Sequence, residues 1–120
     1  MANPVGGIVY VKANGRMYPA KGNFTYNIGA PLREAIVGSD GVHGYKEMPQ
    51  VPFVEGEITD RNDIDLADLC NGTDLTITLE LANGKVITLR DAWFASEGTG
   101  NSEEGNIAVR WEGLSADEVK

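Results

Sequence analysis

Two Asn-Gly dipeptides, each set between runs of alternating apolar and polar residues, constrain the fold of this chain more than any other feature. Asn14-Gly15 lies inside IVYVKANGRMYPA, and Asn83-Gly84 lies inside LTITLELANGKVITLR. Both residue types tolerate a positive φ, which the type I′ turn requires, and the twist of that turn matches paired strands. The sequence therefore predicts two β-hairpins closed by type I′ turns.

Other segments alternate in the same way. NFTYNI (23–28), DLTITLEL (74–81) and NIAVRWE (106–112) each place apolar residues on one side of an extended chain and polar residues on the other. This pattern is typical of a strand with one buried and one solvated face. DAWFAS (91–96) is predicted to continue the strand that leaves the second hairpin.

One short helix is predicted within DRNDIDLADLCNG (60–72), because its apolar residues recur at near-helical spacing. Asp63 or Asp65 would cap the start of this helix, and Asn71-Gly72 would end it. Cys70, at the end of the helix, is predicted to be a small core residue, since free cysteine is commonly buried.

The order of elements predicts a mainly β fold with one short α-helix, of the small β-sandwich or barrel kind. The 120 residues fit one domain covering 1–120. Within it we predict a long loop at 29–50, a flexible, polar, Gly-rich loop at 96–106 and a frayed tail at 114–120.

Composition excludes several classes of function. The net charge is −8, from 18 acidic and 10 basic residues, whereas a protein that grips nucleic acid needs clustered Lys and Arg. No apolar run approaches the length of a membrane span, and the N-terminus lacks the pattern of a signal peptide. A single cysteine and a single histidine allow neither an internal disulfide nor a Cys/His zinc site.

The sequence also predicts no catalytic, cofactor or metal site. A nucleophile system would depend on His43, and no G-x-S-x-G elbow accompanies it. The paired carboxylates Glu55 and Glu57 share one face of a strand, but nothing indicates the cleft that glycoside hydrolysis needs. DRNDID (60–65) fails as a calcium loop, because its sixth position is Asp65 instead of glycine. The acids between Glu55 and Glu80 indicate one continuous acidic surface.

Two long stretches, GGIVYVKANGRMYPAKGNFTYNIG and REAIVGSDGVHGYKEMPQVPFVEGEITD, are similar to the opening hairpin with third strand and to the most recognisable stretch of one known family. That family is the tail tube proteins of contractile-tailed, Mu-like bacteriophages, and the resemblance covers nearly the whole chain, about residues 5–113. LTITLELANGKVITLRDAWF and NIAVRWEG resemble its C-terminal hairpin and last strand.

The resemblance implies a structural virion protein that self-assembles. Such subunits form hexameric rings, the rings stack into a tail tube, and each subunit adds strands to an inter-subunit β-barrel around the lumen. The implied partners are further copies of the chain, the tail sheath, tape measure, baseplate and tail terminator proteins. DNA would pass through without specific binding, no membrane would be involved, and assembly would take place in the cytoplasm of the host bacterium.

Within that picture the lumen should be wet and anionic, so that DNA slides without adhering. The polar face of the predicted strand 53–59 is the first candidate, the polar side of NFTYNI the second, and the segment 74–80 the third. The lumen-lining candidates are Glu55, Glu57, Thr59, Asn23, Thr25 and Asn27.

The predicted loop 29–50 is the candidate for inter-subunit contact, because it carries apolar residues with little predicted structure to bury them. The alternative is that this loop folds back on its own subunit. The contact candidates are Leu32, Ile36, Val37, Val42, His43 and Tyr45.

Two other functions remain compatible with composition alone. A β-sandwich binding module for carbohydrate or protein is the main alternative, and a small hydrolase built on His43 is the weaker one. A pocket in the fold would favour the binding module, and rings or tubes in the electron microscope would favour the tube protein.

Overall fold

The computed structural model describes residues 9–62 and 64–119. It confirms a mainly β fold with one short helix. The elements are, in chain order, β1 (Tyr10–Ala13), β2 (Arg16–Tyr18), β3 (Ala20–Asn27), β4 (Leu32–Gly38), β5 (Gly41–Met48), β6 (Phe53–Thr59), α1 (Leu66–Cys70), β7 (Leu75–Glu80), β8 (Val86–Phe94), β9 (Gly100–Asn101), β10 (Asn106–Glu112) and β11 (Ser115–Val119).

The long strand β8 belongs to two antiparallel layers. Its first residues pair with β7 and β11, so that sheet 1 has the order β2-β1-β7-β8-β11. Its last residues, Trp93 and Phe94, pair with β10, and sheet 2 continues through β6 to β3. Just before the change of partner, the register of β8 against β7 shifts between Leu89 and Ala92, and Asp91 within this bulge has a φ of 50°. We call this irregularity the bend in β8, and beyond it the same strand continues into sheet 2.

The hydrophobic core lies between the inner faces of the two sheets. Alternate residues of β1, β7 and β8 enter it from sheet 1, and alternate residues of β6 and β10 enter it from sheet 2. The largest fully buried side chains are Trp111, Ile58, Ile77, Leu79, Ile87, Leu89, Ile107, Val11 and Val54. The period-2 patterns of 74–81 and 106–112 are therefore confirmed, since their buried residues face this one core. The pattern of NFTYNI is confirmed only at Phe24, which packs against the core, because Tyr26 and Ile28 are exposed.

Both Asn-Gly hairpins form, but only one has the predicted turn. In the first, Asn14 and Gly15 both have positive φ, 51° and 84°, as a type I′ turn requires. In the second, only Gly84 does (92°), and Leu81 donates to the Lys85 carbonyl at 2.9 Å. That turn is a three-residue loop with glycine in the left-handed position, so the type I′ prediction there was wrong.

Helix α1 confirms the predicted capping. The Asp65 carboxylate accepts hydrogen bonds from the Ala67 and Asp68 amides at 3.0 and 3.4 Å. Asn71 is the C-cap, and the other cap candidate, Asp63, lies outside the described residues. Cys70 is half-buried, with Gly98 packed so close to its Sγ that no Cβ would fit there. The prediction that Cys70 is a core residue was therefore wrong.

The prediction of a loop at 29–50 was also wrong, because β4 and β5 pair along their whole length to form a third, two-stranded sheet. We call β4 and β5 with their turn the projecting hairpin. Every residue from Leu32 to Met48 is exposed except Gly38, so the hairpin does not fold back on its own subunit. Gly29 precedes the hairpin; its φ of 79°, and the 2.9 Å at which an added Cβ would meet the Pro52 ring, require glycine there.

The other two segments predicted to be irregular contain strands. In 96–106, β9 pairs with β10, and the Asn101 carboxamide accepts from the Glu103 and Glu104 amides at 2.9 and 3.1 Å. The polar, Gly-rich composition of this segment therefore encodes a tight turn. In 114–120, β11 pairs with β8 from Ser115 to Val119, which contradicts a frayed tail over those residues.

Candidate functional site

The outward face of sheet 2 collects all six polar residues that were proposed for the lumen. Because Val54 and Ile58 of β6 point into the core, the alternate residues of that strand point outward. The register carries this face across to β3, where Lys21 is opposite Glu57 and Thr25 is opposite Glu55. We call this surface the polar face; it contains Asn23, Thr25, Asn27, Glu55, Glu57 and Thr59 together with Lys21, Phe53, Asn106, Ala108, Arg110 and Glu112.

A β-bulge shapes the polar face. Between Lys21 and Thr25 the register of β3 shifts against β6, so that three residues of β3 lie opposite Gly56. Phe24 turns inward there, and a Cβ on Gly56 would lie only 2.7 Å from its ring. Asn23 remains outward and lines an open hollow of about 790 Å³ with Glu55 and Glu57.

Arg110 lies near the centre of the polar face and is bound on three sides. Its Nη1 donates to Glu55 Oε2 at 3.0 Å and its Nε donates to Glu112 Oε2 at 3.1 Å, while Nη2 forms an ion pair with the same oxygen at 3.0 Å. The guanidinium carbon lies 4.1 Å from the centroid of the Phe53 ring. We call Arg110, Glu55, Glu112 and Phe53 the Arg110 cluster.

Opposing effects act on the pKa of Arg110. Burial disfavours the charged guanidinium and by itself lowers the pKa, but hydrogen bonds and charges from Glu55 and Glu112 outweigh burial. The net result is a pKa raised above the ordinary arginine value, so Arg110 remains a cation on this face at any pH at which the protein folds.

The other cation that lines the hollow, Lys21, is bound by Glu104. Its Nζ donates to the Glu104 carbonyl at 2.5 Å and lies 3.9 Å from the Glu104 carboxylate. Glu57 accepts a hydrogen bond from the Asn106 carboxamide. Among the described residues that line the hollow, the acids are Glu55, Glu57, Glu97 and Glu104, and the bases are Lys21 and Arg110. The face therefore has an excess of negative charge.

The acids between Glu55 and Glu80 do not form one surface, contrary to the expectation. Glu55 and Glu57 lie on the outward face of sheet 2, whereas Glu80 lies on sheet 1, 3.5 Å from Lys12. The outward faces of two sheets that share one core point in opposite directions. The third lumen candidate, the segment 74–80, is thereby separated from the first two.

The projecting hairpin exposes the contact candidates on both of its sides. Leu32 and Ile36 share one side with Met48, and Tyr45 lies on the other side with Ala35. Val37 and Val42 pair near the tip, where their exposed fractions are 68% and 73%. Cross-strand ion pairs, Glu34–Lys46 at 3.6 Å and Arg33–Glu47 at 3.3 Å, stabilise this isolated pair of strands.

His43 lies on β5, close to the turn of the projecting hairpin. One ring nitrogen is 2.6 Å from the Asp40 carboxylate, and a Cβ added to Gly38 would collide with the ring. The side chain is exposed, and it does not line the hollow of the polar face.

Sheet 2 is bounded on one side by β3, the end of the strand order, and on the other by the segment 93–101 that runs along β10. Ala95 donates to the Arg110 carbonyl at 2.7 Å, and Ala108 donates to the Thr99 carbonyl at 3.2 Å. β3 is the terminal strand of the described sheet order, where a further strand could pair, whereas the segment 93–101 has strand structure only at Trp93–Phe94 and at Gly100–Asn101.

The sequence profile of the phage tail tube proteins matches residues 2–118. The chain belongs to the phage tail tube protein family. A Mu-like prophage FluMu tail tube protein from Haemophilus influenzae (strain ATCC 51907 / DSM 11121 / KW20 / Rd) is 29% identical over 120 residues, which is the full length of both chains. The chain is therefore a structural component of a phage tail, which argues against the binding-module and hydrolase alternatives.

Solved structures of related machines share the fold. A chain of the cryo-EM structure of an extracellular contractile injection system, the PVC sheath/tube terminator in the extended state, superimposes with a TM-score of 0.70 at 11% identity, covering 100% of this chain and 98% of that one. A chain of the PVC sheath-tube complex in the extended state gives a TM-score of 0.66 at 12% identity, covering 98% and 91%. At these identities the likeness concerns the tail tube fold alone.

Sequence reasoning identified the acidic side of β6 but missed Arg110, Glu112 and Phe53. The alternation of β10 places Arg110 outward, next to buried Trp111, and the sequence pattern predicts this orientation. The pairing of Arg110 with Glu55 depends on the register of two strands far apart in the chain, and the sequence pattern does not predict that register. Among residues 9–62 and 64–119, no three His, Cys, Asp or Glu side chains group as a metal site, and no helix has the length and apolarity to cross a membrane.

Proposed function

We propose that this tail tube protein forms homohexameric rings that stack into the tube of a contractile phage tail, and that the lumen of the tube is the conduit for DNA. The observation that carries the proposal is that the polar candidates from β3 and from β6 lie on one face, which is bounded by β3, the last strand in the described order, and by the segment 93–101 along β10.

Ring closure follows from those boundaries. The edge of β3 in one subunit pairs with the segment 93–101 of the next, so that the contact surface differs on the two partners. A contact between two different surfaces closes into a ring when the rotation between subunits allows it. Closure removes exposed strand edges, as it does in a barrel.

The polar face then lines the lumen. Asn23, Thr25 and Asn27 contribute neutral polar groups, while Glu55, Glu57 and Thr59 contribute the acidic row. A wet surface with excess negative charge repels the DNA backbone and lets it slide, because duplex DNA carries one charge per about 1.7 Å of its axis.

Axial stacking uses the projecting hairpin. Leu32, Ile36 and Tyr45 present apolar surface on opposite sides, and Val37, Val42 and His43 lie near the tip. A two-sided exposed strand pair is buried most completely by insertion between neighbouring subunits, so we place the hairpin between copies of the chain in the adjacent ring.

The same proposal gives the remaining partners and the location. The solved structures that share the fold come from a sheath/tube terminator and from a sheath-tube complex. We accordingly place a sheath around the tube, a terminator at its end, a baseplate at its base and a tape measure protein in the lumen during assembly. The tube is part of the virion and assembles in the cytoplasm of the host bacterium.

Negative-stain electron microscopy of the purified protein over a concentration series tests the proposal. We expect rings or hollow tubes at high concentration, with a sixfold average in end-on views. A protein that remains strictly monomeric over a wide range of concentration, salt and pH would contradict the proposed assembly.

A further inference from the structure

The Arg110 cluster raises a question about the proposed lumen. A surface on which DNA must slide should avoid arginine, because the guanidinium fork binds phosphate through two parallel hydrogen bonds. Yet Arg110 lies on the polar face, opposite Glu55, and an arginine side chain is a cation at any pH of interest.

The contacts of Arg110 engage part of the guanidinium that a phosphate would use. Nη1 donates to Glu55 and Nε to Glu112, and Nη2 lies 3.0 Å from the same Glu112 oxygen. Phe53 covers one flat side of the guanidinium at 4.1 Å. The exposed fractions of the Arg110, Glu112 and Glu55 side chains are 29%, 26% and 44%. A phosphate that approaches Arg110 therefore meets two carboxylates, which repel it and already bind two of the guanidinium nitrogens.

The register makes this arrangement a fixed property of sheet 2. Arg110 lies directly opposite Glu55 across the β6–β10 pairing, and Glu112 lies opposite Phe53. Arg110 and Glu112 are two apart on one strand, so they share a face. The carboxylates are therefore held beside the guanidinium by backbone pairing.

We propose that Glu55 and Glu112 are positioning residues that shield Arg110 from the phosphates of DNA, and that loss of both converts the polar face into a DNA-binding surface. The inference rests on the proposed function, since the polar face must meet DNA for the shielding to matter. In a ring the unshielded guanidinium would recur in every subunit. The weak binding energies of the guanidinium–phosphate contacts would then add up and slow the movement of DNA.

The test compares three full-length proteins: wild type, Glu55→Gln/Glu112→Gln, and Glu55→Gln/Glu112→Gln/Arg110→Gln. Glutamine keeps the length and the hydrogen-bond acceptor of glutamate but removes its charge. A short fluorescent duplex DNA is titrated with each protein over a salt series, and its anisotropy gives affinity and salt dependence. Near-UV circular dichroism confirms that each variant is folded.

We expect weak binding by wild type at low salt, binding by the double variant on the order of tenfold tighter or more under the same conditions, and a return to wild-type behaviour in the triple variant. The plot of log affinity against log salt should steepen by about one for each arginine that neutralises a phosphate. If the double variant does not fold, Glu112→Gln alone should give a smaller rise, because Glu55 still binds Nη1 in that variant.

Equal binding by the double and triple variants would overturn the inference, since the gain would then come from the lost negative charge and not from Arg110. No gain in the double variant would overturn it as well. Tube formation is scored on the same preparations by electron microscopy. If wild type forms tubes but the double variant gains no DNA binding, only the shielding is refuted. If wild type remains strictly monomeric, the proposed tube is refuted, and the comparison of DNA binding among the three proteins can still be interpreted.

Discussion

The tip of the projecting hairpin offers a way to separate assembly from folding. Val37 and Val42 pair with each other there and are 68% and 73% exposed in the subunit. The double change Val37→Thr/Val42→Thr keeps β-branched side chains of nearly the same shape, so the strands retain their conformational preference. It replaces an exposed methyl group with a hydroxyl at each position.

The expected effect on the subunit differs from that on the tube. Exposed substitutions change stability by only about 0.5 kcal/mol, so the free energy of unfolding should hardly change. If the tip is buried between subunits, each unpaired hydroxyl costs about 1 to 2 kcal/mol on assembly. Two per hairpin cost about 2 to 4 kcal/mol, which corresponds to a roughly 30- to 700-fold higher critical concentration for tube formation.

Sedimentation measures that concentration directly, since tubes pellet and free subunits do not. Val119→Thr on β11 is the matched control, because it makes the same change on an exposed strand (58% exposed) outside the proposed contacts. We expect the control to assemble like wild type. An unchanged critical concentration for the double variant, with unaltered thermal unfolding, would refute the placement of the hairpin tip in an inter-subunit contact.

Three further predictions concern the bulge, the bend and the lumen. Gly56→Ala should lower the free energy of unfolding in urea by about 1 to 3 kcal/mol, because the new Cβ would lie 2.7 Å from the Phe24 ring. Its control, Gly100→Ala, meets only a carbonyl oxygen at 3.9 Å and should change that free energy by about 0.5 kcal/mol or less. Equal changes in the two variants would contradict the packing explanation. Asp91→Val should lower the free energy of unfolding by about 1 to 2 kcal/mol, because a β-branched residue is strained at a φ of 50°. Asp91→Gly should not lower it, since glycine adopts this φ without strain. Calorimetry that gives the opposite order of stability would refute the strain explanation. Glu55→Lys/Glu57→Lys should fold but slow DNA ejection from assembled particles, and normal infectivity of that variant would take both residues out of the lumen.

Local patterns were sufficient wherever one side of a strand meets the shared core. Ile77 and Leu79 on β7, and Ile107, Val109 and Trp111 on β10, alternate with polar residues and are buried as the period-2 pattern predicts. The Asn-Gly dipeptides located both hairpins for a different local reason, because a residue with positive φ in a tight turn is usually Gly or Asn.

The projecting hairpin escaped prediction because neither of its sides faces the core of its own subunit. Apolar and charged residues are mixed on both sides, with Leu32 and Glu34 on one and Arg33 and Ala35 on the other. Alternation is a signal of one-sided burial, and a strand pair exposed on both sides does not produce it. β11 was missed for a related reason: it is held by backbone bonds to β8, and only Ala116 packs on the core.

The polar face was half predictable. The acidic and amide residues could be assigned to the outward sides of their own strands, but their union on one surface required the pairing of β3 with β6. The Arg110 cluster required in addition the pairing of β6 with β10, between positions 55 residues apart in the chain. Pairing of distant strands is a tertiary property that no local window contains.

The bend in β8 has a mechanical consequence. Because one strand is hydrogen-bonded into sheet 1 at its start and into sheet 2 at its end, a force applied to either layer is transmitted along covalent backbone to the other. The two layers cannot slide past each other without shearing the ladders on both sides of Asp91. A long assembly of such subunits would therefore be stiff against compression and torsion. Under torsion, the surface formed by sheet 1 and the surface formed by sheet 2 would rotate by the same angle.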